Sequence, residues 1–186
     1  GAVFITEGND HFLYMVANDP GGGGGPGGGG GNKTKNLYKY NVKTRALASG
    51  YPKDLSNAQV HDDVGGLAYD GTDLIVTAKQ MSNVWKVSTT GQSVAQGWPC
   101  CAAVFGITGL AYHSTRGALY GANATTLVGL SSDLNNYSSE QNITLNGSGM
   151  SGSVGAMTFG SDVLYIGRTE SNTGYITASA FASSIT

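Results

Sequence analysis

The stretch Gly66-Leu67-Ala68-Tyr69-Asp70-Gly71-Thr72-Asp73-Leu74-Ile75-Val76 reads as a short apolar run, a polar turn and a second apolar run. That is the pattern of two antiparallel strands joined tightly. The same phrase returns further along the chain. Gly109-Leu110-Ala111-Tyr112 leads through His113-Ser114-Thr115-Arg116-Gly117 to Leu119-Tyr120-Gly121, and Gly155-Ala156-Met157-Thr158-Phe159 leads through Gly160-Ser161-Asp162 to Leu164-Tyr165-Ile166. Leu74, Leu119 and Leu164 follow one another at equal intervals of 45 residues. Equal steps of this length mark one supersecondary unit used repeatedly.

A worn copy opens the chain: Val3-Phe4-Ile5-Thr6, a turn at Gly8-Asn9-Asp10-His11, then Phe12-Leu13-Tyr14-Met15-Val16. Its interval to the next copy is longer because residues 21–31, five Gly, Pro26 and five Gly, are inserted before the third strand. Third strands are expected at Leu37–Tyr40, Val84–Val87, Leu127–Leu130 and Tyr175–Ala178. Weaker fourth strands are expected at Ala46–Ala48, Ser93–Ala95 and Ile143–Leu145, with none in the last repeat.

The reading is therefore all-β: one repeat domain over 1–186, with repeats at about 1–60, 61–104, 105–150 and 151–186, folded as a small β-propeller or as propeller-like stacked sheets. The segments Leu74–Val94 and Leu119–Leu134 resemble the bacterial YVTN- and NHL-type propeller repeats, in which a Leu-Tyr strand after a polar turn is followed by an apolar strand and a Thr-rich turn. The resemblance implies a fold and carries no catalytic residues across. It also implies an extracellular or periplasmic binding or scaffold module, of a kind that usually has more than four blades.

Charged residues make up 12% of the chain, about half the roughly 25% usual for soluble domains. The surface must then rest on Ser, Thr, Asn and Gly, as in extracellular β proteins, and helix should be minor because the strong helix formers are scarce. The formal net charge is −2, and the basic residues gather only at Lys33, Lys35, Lys39, Lys43 and Arg45. Nucleic acid is not an expected partner on that charge. No run reaches the ~18 apolar residues of a membrane helix. Gly1 followed by Ala2-Val3-Phe4-Ile5 is read as the start of a mature secreted chain.

The glycine run offers no phosphate loop, since no helix start or Lys-Ser/Thr pair follows it. Either packing orders it or its glycines stand for undetermined side chains, so no chemistry is read from it. The only cysteines, Cys100 and Cys101, are neighbours. A bond between them needs a distorted turn and a bond to another chain needs exposure, so two partly buried loop thiols remain the plainer reading. Spaced Cys and His pairs for zinc are absent, and no metal or cofactor is expected.

Five Asn-x-Ser/Thr triplets stand at Asn32, Asn123, Asn136, Asn142 and Asn146, three of them within 136–148. In a secreted protein these are candidate glycan acceptors on surface loops. His61-Asp62-Asp63 is the compact titratable set, read as a polar loop with Asp63 in a turn. No nucleophile elbow or His-Glu-x-x-His pair appears, and no catalytic residue is assigned. Glu7, Asp54, Asp62, Asp63, Glu140 and Glu170 are the carboxylates from which a glycosidase pair would have to come.

Tyr38, Tyr40, Trp85, Trp98, Tyr112, Tyr120 and Tyr165 recur at related repeat positions. Packing between sheets is the favoured role, with sugar stacking as the alternative. The unfinished last repeat leaves a sheet margin that Ala2, Val3, Phe4, Ile5 and Thr6 can cover, within the ring or on a neighbouring copy. The expected function is that of a non-enzymatic extracellular subunit of a filament or surface layer, glycosylated and joined head to tail to copies of itself. A lectin-like propeller is the alternative.

Overall fold

The computed structural model describes residues 1–19, 34–60, 63–78, 83–97, 107–122, 126–130, 134, 143–144, 153–170 and 173–180. Four antiparallel sheets follow one another along the chain. The first holds β1 (Ala2–Glu7), β2 (Asp10–Asp19), β3 (Thr34–Asn41), β4 (Ala46–Leu47) and a short β5 (Lys53–Asp54) that also pairs with β3. The second runs β6 (Val64–Tyr69), β7 (Leu74–Ala78), β8 (Val84–Val87), β9 (Ser93–Gly97). β10 (Gly109–His113), β11 (Ala118–Ala122), β12 (Thr126–Leu130) and β13 (Ile143–Thr144) form the third, and β14 (Ser153–Gly160), β15 (Val163–Glu170) and β16 (Thr173–Ala180) the fourth.

The sheets pack face to face in chain order because each strand alternates its side chains between two faces, and both are apolar. The back face of each sheet is the one turned toward the preceding sheet in chain order, where there is one, and the front face the one turned toward the next. Ile5, Tyr14, Val16 and Leu37 on the front of the first sheet bury against Leu67, Leu74, Val76 and Trp85 on the back of the second. Ala68, Ile75 and Val84 then meet Ile107, Leu110 and Leu119. Ala111, Tyr120 and Leu127 meet Val154, Met157, Leu164 and Ile166. The evenly spaced leucines 74, 119 and 164 thus occupy the same place in three successive interfaces.

Contacts run from β1 to β6, from β6 to β10 and from β10 to β14, so the first strand of each sheet lies innermost. Close approach there depends on glycine. A Cβ on Gly66 would lie 2.8 Å from the Leu110 Cβ, and one on Gly109 would lie 2.7 Å from Val154 Cγ1 and 2.8 Å from Met157 Cγ. Polar side chains stitch the same seams. Asn18 accepts from Val64 N at 3.0 Å, Thr77 Oγ1 donates to the Ile107 carbonyl at 3.4 Å, and Thr108 Oγ1 donates to the Val154 carbonyl.

One feature departs from the expectation drawn from sequence. After β4 the chain returns to pair β5 with β3, and a single 3₁₀ turn at Leu55–Ala58 follows, its start capped by the Asp54 carboxylate accepting from Ser56 N at 2.8 Å. The turn is there to bury Leu55 and Ala58 under the first interface. Ala2–Thr6 belong to the first strand expected of the first repeat. These residues lie in β1, which pairs along its whole length with β2, Ala2 opposite Met15 through Glu7 opposite Asp10. Among the described pairings it completes its own sheet, and the fourth sheet stays three-stranded.

Candidate functional site

Among the described residues, two faces of this stack have no following or preceding sheet. The back of the first sheet carries Ala2, Phe4, Leu13, Met15, Tyr40 and Leu47, related by the pairings Ala2–Met15, Phe4–Leu13, Leu13–Tyr40 and Tyr40–Leu47. The front of the fourth carries Ala156, Thr158, Tyr165, Gly167, Ile176 and Ala178, related by Ala156–Gly167, Thr158–Tyr165, Gly167–Ile176 and Tyr165–Ala178. These two faces border common space. A cavity of about 560 Å³ is lined by Phe4 and Leu13 from one and by Thr158, Tyr165, Gly167 and Ile176 from the other. A second, of about 550 Å³, is lined by Ala2, Met15 and Tyr40 together with Gly155 and Ala156.

Equivalent positions in the four repeats show how these faces differ from the rest. On the second strand of each sheet, one front-face position is held by Tyr14, Ile75, Tyr120 and Tyr165, each next to the repeat leucine. Their exposures are 0%, 3%, 0% and 40%. On the back face, the first-strand partner of Leu13, Leu74, Leu119 and Leu164 is aromatic in every sheet: Phe4, Tyr69, Tyr112 and Phe159. The last three are half-buried, whereas Phe4 is 56% exposed. The residue types at the two outer faces are those of an interface, and the burial is not.

The cleft is apolar and aromatic, with hydroxyls from Thr158 and the tyrosines. Among the described residues no Asp, Glu, His, Lys or Arg side chain lines either cavity. Ionic groups sit instead at the turns. Lys39 Nζ lies 2.6 Å from Glu7 Oε2 and over the ring of Phe12 at 4.1 Å, and Tyr14 donates to Glu7 Oε1 at 2.6 Å. Burial acts to raise the Glu7 carboxyl, but the hydrogen bonds from Lys39 and Tyr14 and the Lys39 charge outweigh it and leave the pKa below the ordinary glutamate value. The second sheet repeats the device: Lys86, at the position of Lys39, lies 2.6 Å from Asp70 Oδ2. Desolvation would raise Asp70, yet donors from Asp73 N, Lys86 and Thr72 N hold it low.

Several expected site residues fall elsewhere. Asn32, Asn123, Asn136, Asn142 and Asn146, together with Cys100, Cys101, Trp98, His61 and Asp62, lie outside the described residues. Of the aromatics, Trp85 and Tyr120 are buried between sheets, Tyr69 and Tyr112 are half-buried against cores, and Tyr40 and Tyr165 border the cleft. His11 and His113, each of which stands in the sequence at the turn between the first and second strands of its repeat, are not equivalent in the structure. His11 is the second residue of β2 and stacks, exposed, on Phe4, whereas His113 ends β10, is buried against Phe159 and has Nε2 3.2 Å from Asp162 Oδ1. The cleft itself went unseen in the sequence. Its signal was there, in a repeat pattern that assigns a face to every apolar residue.

No family model matches the chain, and no curated protein matches it in sequence. Solved structures do. A chain of a nidogen/laminin complex is 11% identical with a TM-score of 0.60, covering 91% of this chain and 57% of that one. The WD40 repeats of RRP9 are 15% identical with a TM-score of 0.52, covering 90% and 44%. Hydrazine synthase of Kuenenia stuttgartiensis is 9% identical with a TM-score of 0.51, covering 88% and 44%. At these identities the likeness is one of fold, and the fold is β-propeller-like. The chain spans about half the length of the structures it matches.

Proposed function

We propose that this protein is a non-enzymatic, self-associating structural module of the extracellular space, a subunit of a filament or surface layer, glycosylated at some of its Asn-x-Ser/Thr sites. A closer kinship with the bacterial YVTN and NHL repeats is part of the same reading. The observation that carries it is the pair of outer sheet faces. Both are built from the residue types that the three internal interfaces bury, and among the described residues of a single chain nothing covers either. Apolar patches of this kind mark surfaces of association. A chain of the nidogen/laminin complex shares the fold and sits in a protein–protein assembly. The low charge and the Ser, Thr and Gly content suit an exposed extracellular surface.

The test is the state of the purified chain by multi-angle light scattering and negative-stain electron microscopy. Concentration-dependent oligomers or filaments support the reading. A monomer at all concentrations overturns it.

One observation favours a second reading. The rings of Phe4, Tyr40 and Tyr165 are exposed around cavities of a size suited to small ligands, and aromatic faces flanked by hydroxyls stack on sugars. Glycan-array binding by a monomeric preparation, lost in Tyr165→Ala, is the outcome that selects it.

A further inference from the structure

The three internal interfaces follow one rule. On the innermost strand a small front-face residue of one sheet meets a large back-face residue of the next: Gly1 meets Leu67, Gly66 meets Leu110, and Gly109 meets Met157. The repeat register extends these positions to the outer faces, where the large back-face residue is replaced by alanine. Ala156 is two residues before Thr158 and pairs with Gly167, as Gly109 is two residues before Ala111 and pairs with Ala122. It is therefore the small front-face residue of the fourth sheet. Ala2 pairs with Met15 as Leu67 pairs with Val76, which makes it the back-face residue of the first. Phe4 then stands where Tyr69, Tyr112 and Phe159 stand, and Tyr165 where Tyr14, Ile75 and Tyr120 stand.

We infer that the front of the fourth sheet of one copy packs on the back of the first sheet of a second copy, in the register of the internal interfaces, with Ala156 of the one against Ala2 of the other. The inference deepens the self-association proposed above and rests on it. The occupant is a second copy because the missing cover at each outer face is a sheet face of this same repeat, and the chain carries one of each kind. The front face offers small residues, Ala156, Gly167 and Ala178, between Tyr165 and Ile176, and the back face offers the large ones, Phe4, Leu13, Met15 and Tyr40. At the innermost position itself both residues are small, Ala156 and Ala2, and the large back-face side chains stand around it. Two copies also hold about as much chain as one of the solved propellers, of which a single copy spans 57% or 44%.

The contact joins sheet faces and does not need the donation of Ala2–Thr6, which stay paired with β2. It is directional, since the two surfaces are different. It closes after two copies or runs on as a filament according to the turn each interface imposes.

Cysteine pairing tests it. In chains of residues 1–186 with Cys100 and Cys101 replaced by serine, Ala2→Cys and Ala156→Cys are made separately, their folding is checked by circular dichroism, and they are mixed under mild oxidation. The inference expects a disulfide-linked dimer containing one chain of each kind, at least tenfold more abundant than dimers of either variant alone. Oligomers by light scattering with no mixed dimer, or with Ala2→Cys linked to itself as readily, overturn the face-to-face contact and leave self-association standing. Monomers of both variants and of the unsubstituted chain overturn the two together.

Discussion

The third and fourth sheets present the same front-face position to different surroundings. Tyr120 is wholly buried, its ring 5.5 Å from Phe159 of the following sheet, while Tyr165, 45 residues on, is 40% exposed. Strand, neighbours in register and side chain are alike. The difference is the presence of a next sheet. In a repeat fold an interface is thus specified twice, once by each sheet, and either half persists in the sequence whether or not the other is in place.

That contrast is open to direct attack. The largest expected effect is in the repeat leucines: Leu74→Ala, Leu119→Ala and Leu164→Ala each remove a fully packed side chain and are expected to cost about 2–5 kcal/mol. Leu13→Ala, on the uncovered back face, is expected to cost about 1 kcal/mol, because its site is open to water already. Urea denaturation of the four variants provides the comparison, and equal losses would mean that Leu13 is as enclosed as the others.

Next come the glycines of the innermost strands. Gly66→Ala places a Cβ 2.8 Å from the Leu110 Cβ and 2.9 Å from Thr77 Oγ1, and is expected to destabilise by about 1–3 kcal/mol through overpacking. Gly155→Ala has its nearest neighbour at 4.0 Å and is expected to stay within about 0.5 kcal/mol of the parent chain. Thermal melts of the two distinguish a filled seam from an open one.

The smallest effect is electrostatic. Glu7 and Asp70 have pKa values below their ordinary 4.5 and 3.8, so the stability they add is fully present above those values and is lost as pH falls through the lower, folded-state ones. Stability followed from pH 6 to pH 2 is expected to fall at the acid end. Lys86→Met, which removes the partner of Asp70, is expected to flatten that fall slightly, by no more than a partly exposed pair allows.

Much of the fold was legible because it is carried by local, repeated signals. The interval between Leu74, Leu119 and Leu164, with the turn between first and second strands, placed the hairpins, and strand alternation then fixed which residues face which neighbour. What escaped was non-local. The pairing of Lys53–Asp54 with β3 and the burial of Leu55 depend on a segment folding back over an interface, for which two polar residues and a short apolar stretch give no periodic mark. His11 and His113 looked alike because both stand near a turn. A difference of strand sends one to solvent and the other under Phe159. The cleft required one more step, which is to ask of each interface face whether the chain contains its cover.

Tyrosine nitration with peptide mapping, at a dilution where the chain is monomeric, asks that question most directly. The account predicts rapid modification of Tyr165 and Tyr40, with Tyr120 and Tyr14 protected until the protein unfolds. Nitration of Tyr120 at the rate of Tyr165, or protection of Tyr165 in the monomer, would contradict it.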